Sequence, residues 1–184
     1  SVDVLQRQDP DMVSQMPPRS EYIMMKRPDI TFSDHMSIQL GDTHFELYHT
    51  PGHSSCQTCV YVPEERTAIV GDTLFVDCQT WLHSANIEEL LQSLDFLETL
   101  DVDHIIPGHG PVVTKDYIEK QRSFIYEWLG AVAAGISKGW TQDECVANIS
   151  FAERCPMDIG QPEMMEYVQR TNTIKCYQYL MHKA

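Results

Sequence analysis

Between residues 36 and 70, apolar positions alternate with polar ones in short runs separated by turn residues. Residues 36–40 and 44–49 alternate in the way that strands do, and Gly41 between them is typical of a tight turn. Residues 57–62 and 66–70 predict a second pair, joined by a proline-containing turn. This region is therefore predicted to be an antiparallel sheet.

The apolar periodicity then lengthens to that of a helix. Residues 87–100 predict a helix, with Asn86 as N-cap and Glu89 completing a capping box. Its predicted buried stripe consists of leucines, namely Leu90, Leu91, Leu94, Leu97 and Leu100. A short strand at residues 104–106 follows. The order strand, helix, strand predicts a crossover that returns to the same sheet.

Helical patterning continues from there to the end of the sequence. Thr114 is the predicted N-cap of a first helix. Thr141 with Glu144 predicts the start of a second, and Pro162 suits the first turn of a third. We expect these helices to cover the sheet, to offer a surface for dimerisation, and to supply no catalytic ligand.

Three turns each place a good metal ligand directly after a run of β-type residues: His53 after Pro-Gly, Asp72 after Gly, and His109 after Pro-Gly. Neutral imidazole and ionised carboxylate suit zinc or a similar divalent ion, and the same set suits non-haem iron. Taken singly, each turn is weak evidence, because a histidine after Pro-Gly is more often a turn residue than a ligand. Their spacing is too wide for one loop, so only a folded sheet brings the three together.

Four separated motifs resemble the metallo-β-lactamase-fold hydrolases and occur in that family's order. They are His49-Thr-Pro-Gly-His53-Ser-Ser, Val60-Tyr-Val-Pro-Glu64, Gly71-Asp72-Thr-Leu-Phe75 and Ile105-Ile-Pro-Gly-His-Gly110. The resemblance covers about residues 28–113. It implies an α/β fold of the α+β sandwich type: the C-terminal part of an αββα sandwich, with additional C-terminal helices and with metal at the edge where the two sheets meet.

The resemblance also implies a chemistry for the three turns. It assigns His53 to a first metal ion, His109 to a second, and Asp72 as the carboxylate that bridges both. The implied cofactor is zinc, as one or two ions, with iron or manganese as alternatives. The implied reaction is hydrolysis by a metal-activated hydroxide, acting on an ester, lactone, thioester or related acyl substrate.

The family's first motif, His-x-His-x-Asp-His, does not occur in the sequence. We therefore interpret residues 1–30 as an irregular lead-in from a missing N-terminal half, residues 31–113 as the metallo-β-lactamase-like half-domain, and residues 114–184 as a helical region packed on the sheet. An N-terminal half or another chain is expected to complete the fold, and activity is expected to need the absent motif. A homo-oligomer is a further option.

Net charge and cysteine content indicate which classes of partner and which cellular compartment to expect. A net charge of −14 disfavours nucleic acid and anionic membranes, because binding either one relies on clustered Lys and Arg. The family resemblance implies a small-molecule substrate. Six cysteines in 184 residues do not indicate a disulfide framework, so we expect reduced thiols in the cytoplasm. No stretch approaches the ~20 apolar residues that span a bilayer, and no signal peptide is recognisable at Ser1.

Two further features have both a functional and a structural interpretation. His83 follows the Asp72 motif and is a candidate for substrate binding and proton donation, or a plain histidine at the start of a helix. Cys56-x-x-Cys59 resembles half of a zinc knuckle or a redox motif. Against this, no second pair accompanies it, and Cys59 falls in an alternating strand where a thiol packs as a small apolar group. Cys56 stands where the family commonly has glycine.

Three function classes follow from these observations. The leading one is a metal-dependent hydrolase to which this chain contributes half of the ligands. The second is an iron-dependent oxidoreductase on the same fold, similar to persulfide dioxygenases, and the identity of the bound ions separates it from the first. The third is a non-catalytic half-domain or partner subunit in which the three ligands are remnants, and a metal assay tests it.

Overall fold

The structure, a computed structural model, describes residues 28–154 and 164–183. It divides into two units between Phe32 and Ser33, and the described residues of the first unit, 28–32, are irregular. Most of the lead-in predicted at residues 1–30 lies outside the described residues, as does Pro162. The three-part domain interpretation stays a prediction.

Five strands of the described chain form one sheet in sequence order. They are β1 (His35–Leu40), β2 (Thr43–His49), β3 (Thr58–Val62), β4 (Thr67–Phe75) and β5 (His104–His109). Neighbours among the first four strands pair antiparallel, whereas β4 and β5 are parallel. The two predicted hairpins are confirmed. Gly41 adopts a φ of 62° in the first turn, a conformation that glycine reaches at little cost.

The strands β4 and β5 are longer than predicted. β4 continues through Asp72 to Phe75, and β5 continues to His109. The pairing between them shifts register on both sides of Gly71, whose φ is 52°. Asp72 therefore lies inside a strand at an irregularity of the ladder, and its predicted position in a turn after the strand is wrong. Irregularities of this kind re-aim side chains, and alternation alone does not reveal them.

Four helices complete the described architecture: α1 (Ile87–Thr99), α2 (Asp116–Ser137), α3 (Gln142–Asn148) and α4 (Met165–Lys183). Since α1 connects the adjacent parallel strands β4 and β5, the predicted crossover is confirmed. In the described residues, no helix is both long and apolar enough to cross a membrane.

Two of the three predicted helix caps have the expected chemistry. The side chain of Asn86 accepts hydrogen bonds from the backbone N–H groups of residues 88 and 89, which confirms the N-cap but not the capping box predicted with Glu89. Thr141 forms a full capping box with Glu144. Thr114 as the cap of α2 is wrong. The residue before α2, Lys115, already has helical backbone angles, and Thr114 contributes only its carbonyl, which accepts from the N–H of Tyr117 at 3.2 Å.

The core lies on the helix-covered face of the sheet. The strands contribute Cys59, Ala68, Val70, Leu74 and Ile105 to it, each 0% exposed. They pack with the leucines of α1, of which Leu90, Leu94 and Leu97 confirm the predicted stripe. Helix α2 adds Ile118, Ile125 and Trp128, all fully buried. Within residues 28–154 and 164–183, this packing covers one face of the sheet.

The opposite face of the sheet is also apolar, and we call it the open face. Its residues, which the strand register aligns on one side, are Met36, Ile38, Leu40, Phe45, Leu47, Val60, Ile69 and Ile106. All eight are exposed or half-buried; Leu40 is 73% exposed, and Ile69 on the interior strand β4 is 41% exposed. A contiguous apolar surface of this kind is typical of an interaction site.

Candidate metal centre

The sheet topology brings the three predicted ligands to one edge. β2 and β4 are both antiparallel to β3, and β5 is parallel to β4, so β2, β4 and β5 all end at the same edge. His53 follows β2, Asp72 lies near the end of β4, and His109 is the last residue of β5.

The side chains meet around the carboxylate of Asp72. The Nε2 atom of His53 lies 3.4 Å from Oδ2 of Asp72, and the Nε2 atom of His109 lies 3.5 Å from Oδ1 of the same residue. Each imidazole thus faces a different carboxylate oxygen. The His53 side chain is 14% exposed, whereas those of Asp72 and His109 are 37% and 34% exposed, so the cluster opens to solvent on one side.

Helix α1 holds the loop that carries His53. The hydroxyl of Ser93 donates to the carbonyl of Pro51 at 2.6 Å, and the N–H of Asn86 donates to the carbonyl of Gly52 at 2.7 Å. A Cβ at Gly52 would lie 2.4 Å from the Cα of Leu90, and its φ of 144° disfavours any side chain. Glycine is therefore required for the loop to approach the helix closely enough to place His53.

A second glycine leaves room for the carboxylate. A Cβ at Gly108 would lie 2.0 Å from Oδ1 of Asp72 and 2.8 Å from the Asp72 backbone nitrogen. The Pro-Gly-His motif lies within strand β5, so the turn predicted there is wrong. Its glycine gives Asp72 the space in which it faces both histidines.

Phe75 supports the two imidazoles, and the sequence patterns did not single it out as a site residue. Its ring stacks on that of His109, with centroids 4.9 Å apart and planes at 19°, and lies 5.6 Å from the ring of His53. Phe75 is only 2% exposed. The signal was present in the sequence, because Phe75 closes the Gly-Asp-Thr-Leu-Phe motif.

Burial affects the protonation state of His53, the most buried of the three predicted ligands. Desolvation lowers the pKa of His53 from its usual value, and the charge of Asp72 only partly opposes this effect. A lowered pKa keeps the imidazole neutral at pH 7. Neutral imidazole is the form that ligates metals.

The chemistry of this donor set fits a divalent ion, but the set is incomplete. Among the described residues, no group of three or more His, Cys, Asp and Glu side chains is arranged to hold an ion by itself. His53 and His109 face different oxygens of Asp72, so two ions held on the two sides of this carboxylate would have two protein donors each. A catalytic zinc usually has three protein ligands and a water.

The other residues singled out in the sequence lie at or near this edge. His83 is exposed, and its ring lies 4.3 Å from that of Trp81, on the loop after β4. His49 is bound to the carbonyl of Ser55 at 2.9 Å. Cys56 is exposed, and Cys59 is fully buried, which raises the pKa of its thiol to about 12. Such a thiol packs as an apolar group, so the structure favours that interpretation over a cysteine metal site.

Gly108→Ala is expected to disrupt the cluster without touching a donor atom. The added methyl group forces Asp72 or its backbone to move, so we expect zinc affinity to fall by at least ~10-fold, as when a group that orients a ligand is lost. Titration against a competing chelator measures this.

The matched control is Gly130→Ala, on α2, where a Cβ meets nothing within 4 Å. It is expected to leave affinity unchanged and to raise stability by up to ~0.5–1 kcal/mol through helix propensity. Equal affinity of the Gly108→Ala variant and the unaltered protein would contradict the proposed fit.

Comparison with known proteins gives relatives of this chain. A hydroxyacylglutathione hydrolase of Francisella tularensis subsp. novicida (strain U112) is 37% identical over 83 residues, covering 42% of this chain and 31% of the relative. An uncharacterized protein of Aquifex aeolicus (strain VF5) is 36% identical over 101 residues, covering 53% of this chain and 46% of the relative. The chain thus spans less than half the length of these curated relatives.

Solved structures share the fold. A metallo-beta-lactamase family protein from Thermus thermophilus superposes with a TM-score of 0.65 at 18% identity, covering 85% of this chain and 50% of that chain. The family model of the metallo-beta-lactamase superfamily matches residues 6–109, more than half of the sequence. The chain belongs to the metallo-beta-lactamase superfamily.

Proposed function

We propose that this chain is one half of a metal-dependent hydrolase that acts on an ester, lactone, thioester or related acyl substrate. The observation that carries the proposal is the position of Asp72, with one carboxylate oxygen facing His53 at 3.4 Å and the other facing His109 at 3.5 Å. Similarity to a hydroxyacylglutathione hydrolase supports a hydrolytic reaction.

In this proposal His53, Asp72 and His109 hold zinc, as one or two ions, with iron or manganese as alternatives. A bound divalent ion supplies an electrophile and makes water more acidic. The chain's own residues prepare for this. Burial keeps His53 neutral, Asp72 provides negative charge between the two imidazoles, and Phe75 fixes the ring of His109. His83, exposed near this edge, is the candidate for contact with the substrate.

The proposal includes a partner sheet that covers the open face and brings the missing ligands. If two ions share Asp72, each has two protein donors from this chain, which is fewer than the three of a usual catalytic zinc. The eight apolar side chains of the open face need a cover, since two sheets that pack face to face bury such surfaces. This chain also matches only half of a solved relative. The cover is an N-terminal half or another chain, and a second copy of this chain is the alternative.

We further propose a cytoplasmic location and a small-molecule substrate. The five described cysteines are free thiols, as expected in a reducing compartment. The net charge of −14 opposes binding to nucleic acid.

A second candidate function, an iron-dependent oxidoreductase, is favoured by the same donor set. Two histidines and one carboxylate also form the ligand set of non-haem iron enzymes. The bound metal therefore distinguishes the two candidates.

The test is metal analysis together with activity assays on the native protein, meaning the protein purified from its own cells with any chain it carries or binds. We expect zinc, and hydrolysis of at least one substrate from a panel of esters, lactones and thioesters, lost with a chelator and restored by zinc. Iron with oxygen consumption would support the oxidoreductase. The absence of both bound metal and turnover would support a non-catalytic half-domain.

A further inference from the structure

The strand that carries Asp72 obtains part of its hydrogen bonding from a helix. Beyond Gly71, the pairing of β4 with β5 shifts register until Phe75. In this stretch the side-chain amide of Gln121, on α2, donates from Nε2 to the carbonyl of Thr73 at 2.5 Å. Its Oε1 accepts from the N–H of Phe75 at 2.7 Å. Gln121 is 3% exposed, so both bonds are shielded from water.

The two bonds match the pattern of a neighbouring strand. In a parallel ladder, one residue donates to a carbonyl and accepts from the N–H two positions further along the partner strand. Thr73 and Phe75 are such a pair. One side-chain amide therefore replaces a backbone peptide at the place where the ladder is irregular, and it satisfies groups that would otherwise be buried without partners.

We propose that Gln121 is a positioning residue for the metal cluster. The segment it holds, Thr73 to Phe75, has Asp72 directly before it and ends in the ring that stacks on His109 at 4.9 Å. On the other side of Asp72, Gln57 donates to the carbonyl of Val70 at 3.1 Å, so the irregular stretch is held at both ends. The inference rests on the proposed metal role of Asp72 and His109.

A buried glutamine elsewhere in the chain provides a matched control. Gln169, on α4, is 9% exposed, and its Oε1 accepts from the N–H of Phe151 at 2.9 Å. It resembles Gln121 in residue type, burial and a bond to a phenylalanine N–H, but it does not bond to β4. Substituting Gln169 therefore measures how much stability is lost when a buried side-chain amide is removed away from β4.

The experiment compares Gln121→Met with Gln169→Met. In the metal-free 184-residue chain, NMR records the carbon-bound ring protons of His109 and their nuclear Overhauser contacts to Phe75. In the native protein, chelator competition measures zinc affinity. We expect both variants to lower Tm by at least ~2–4 °C, because each leaves buried backbone groups unpaired. Only Gln121→Met is expected to move the His109 resonances and to weaken zinc binding, by ~10–100-fold.

The two measurements separate failure of this inference from failure of the proposed function. Unchanged His109 resonances in Gln121→Met, with the same loss of Tm as the control, would show a purely structural role and overturn the inference. If the unaltered native protein binds no zinc, the proposed function fails, and the NMR comparison still decides the positioning role. If Gln121→Met does not fold, Gln121→Glu keeps an acceptor for the Phe75 N–H, and a shift of His109 in that variant is the expected result.

Discussion

Asp72→Asn is expected to remove most of the metal from the native protein and to abolish hydrolysis. The carboxylate faces both histidines, so a neutral amide weakens the site on both sides and removes the charge that offsets repulsion between two ions. The loss of zinc affinity should exceed the ~10–100-fold typical of groups that only orient a ligand. Metal content after dialysis and kcat/KM on the most reactive ester or lactone measure the effect.

Two variants serve as controls for the effect of Asp72→Asn. His83→Ala removes at most a proton-transfer or substrate contact, with a rate effect of up to ~10²–10⁴-fold and no effect on metal content. Cys56→Ser is expected to be neutral, since Cys56 is exposed and its neighbour Cys59 is buried. Unchanged metal content and hydrolysis rate in Asp72→Asn, or loss of zinc in Cys56→Ser, would contradict the assignment to the histidine cluster. Either result would favour a metal site at the cysteines.

Ile69→Lys is expected to prevent assembly of the complete protein while leaving the isolated chain folded. Ile69 is 41% exposed in this chain and lies between Val60 and Ile106 on the open face. A partner sheet would bury it, and a buried unpaired charge costs several kcal/mol. Each large apolar side chain of this face gains ~1.5–3 kcal/mol when covered. Sedimentation of the isolated chain is expected to show self-association, which Ile69→Lys reduces.

The control for the added charge is Gln39→Lys, an exposed position on the other face of β1. It is expected to change neither assembly nor stability by more than ~0.5 kcal/mol. An unaltered isolated chain that sediments as a well-folded monomer, together with an Ile69→Lys native protein of normal stability, would show that the open face needs no partner.

Local patterns predicted the elements of the fold well where each residue's role depends on its immediate neighbours. The hairpin at Gly41, the cap at Asn86 and the capping box at Thr141 all follow from short-range hydrogen bonding and backbone preference. The predicted cap at Thr114 is wrong because its role does not depend on immediate neighbours alone. Whether a threonine caps a helix depends on where the chain enters the helix, and at Lys115 the backbone is already helical.

The sequence predicted which three candidate ligands come together, but not which residues hold them in place. His53, Asp72 and His109 stand in recognisable Gly-containing motifs, and the shared direction of β2, β4 and β5 brings these motifs to one edge of the sheet. The contacts that hold them come from distant parts of the chain. Gln121 is 48 residues from Thr73 in sequence, and Ser93 is 42 residues from Pro51. No local pattern marks such pairs, because they depend on how α1 and α2 pack against the sheet.

The central claim is that Asp72 binds metal together with His53 on one side and with His109 on the other. Anomalous diffraction from zinc-soaked crystals of the native protein tests it most directly. We expect two zinc peaks ~3.5–4 Å apart. One should lie ~2.0–2.1 Å from Nε2 of His53 and the other at the same distance from Nε2 of His109, with an oxygen of Asp72 bound to each. Zinc at the cysteines, or on a face that does not include Asp72, would contradict it.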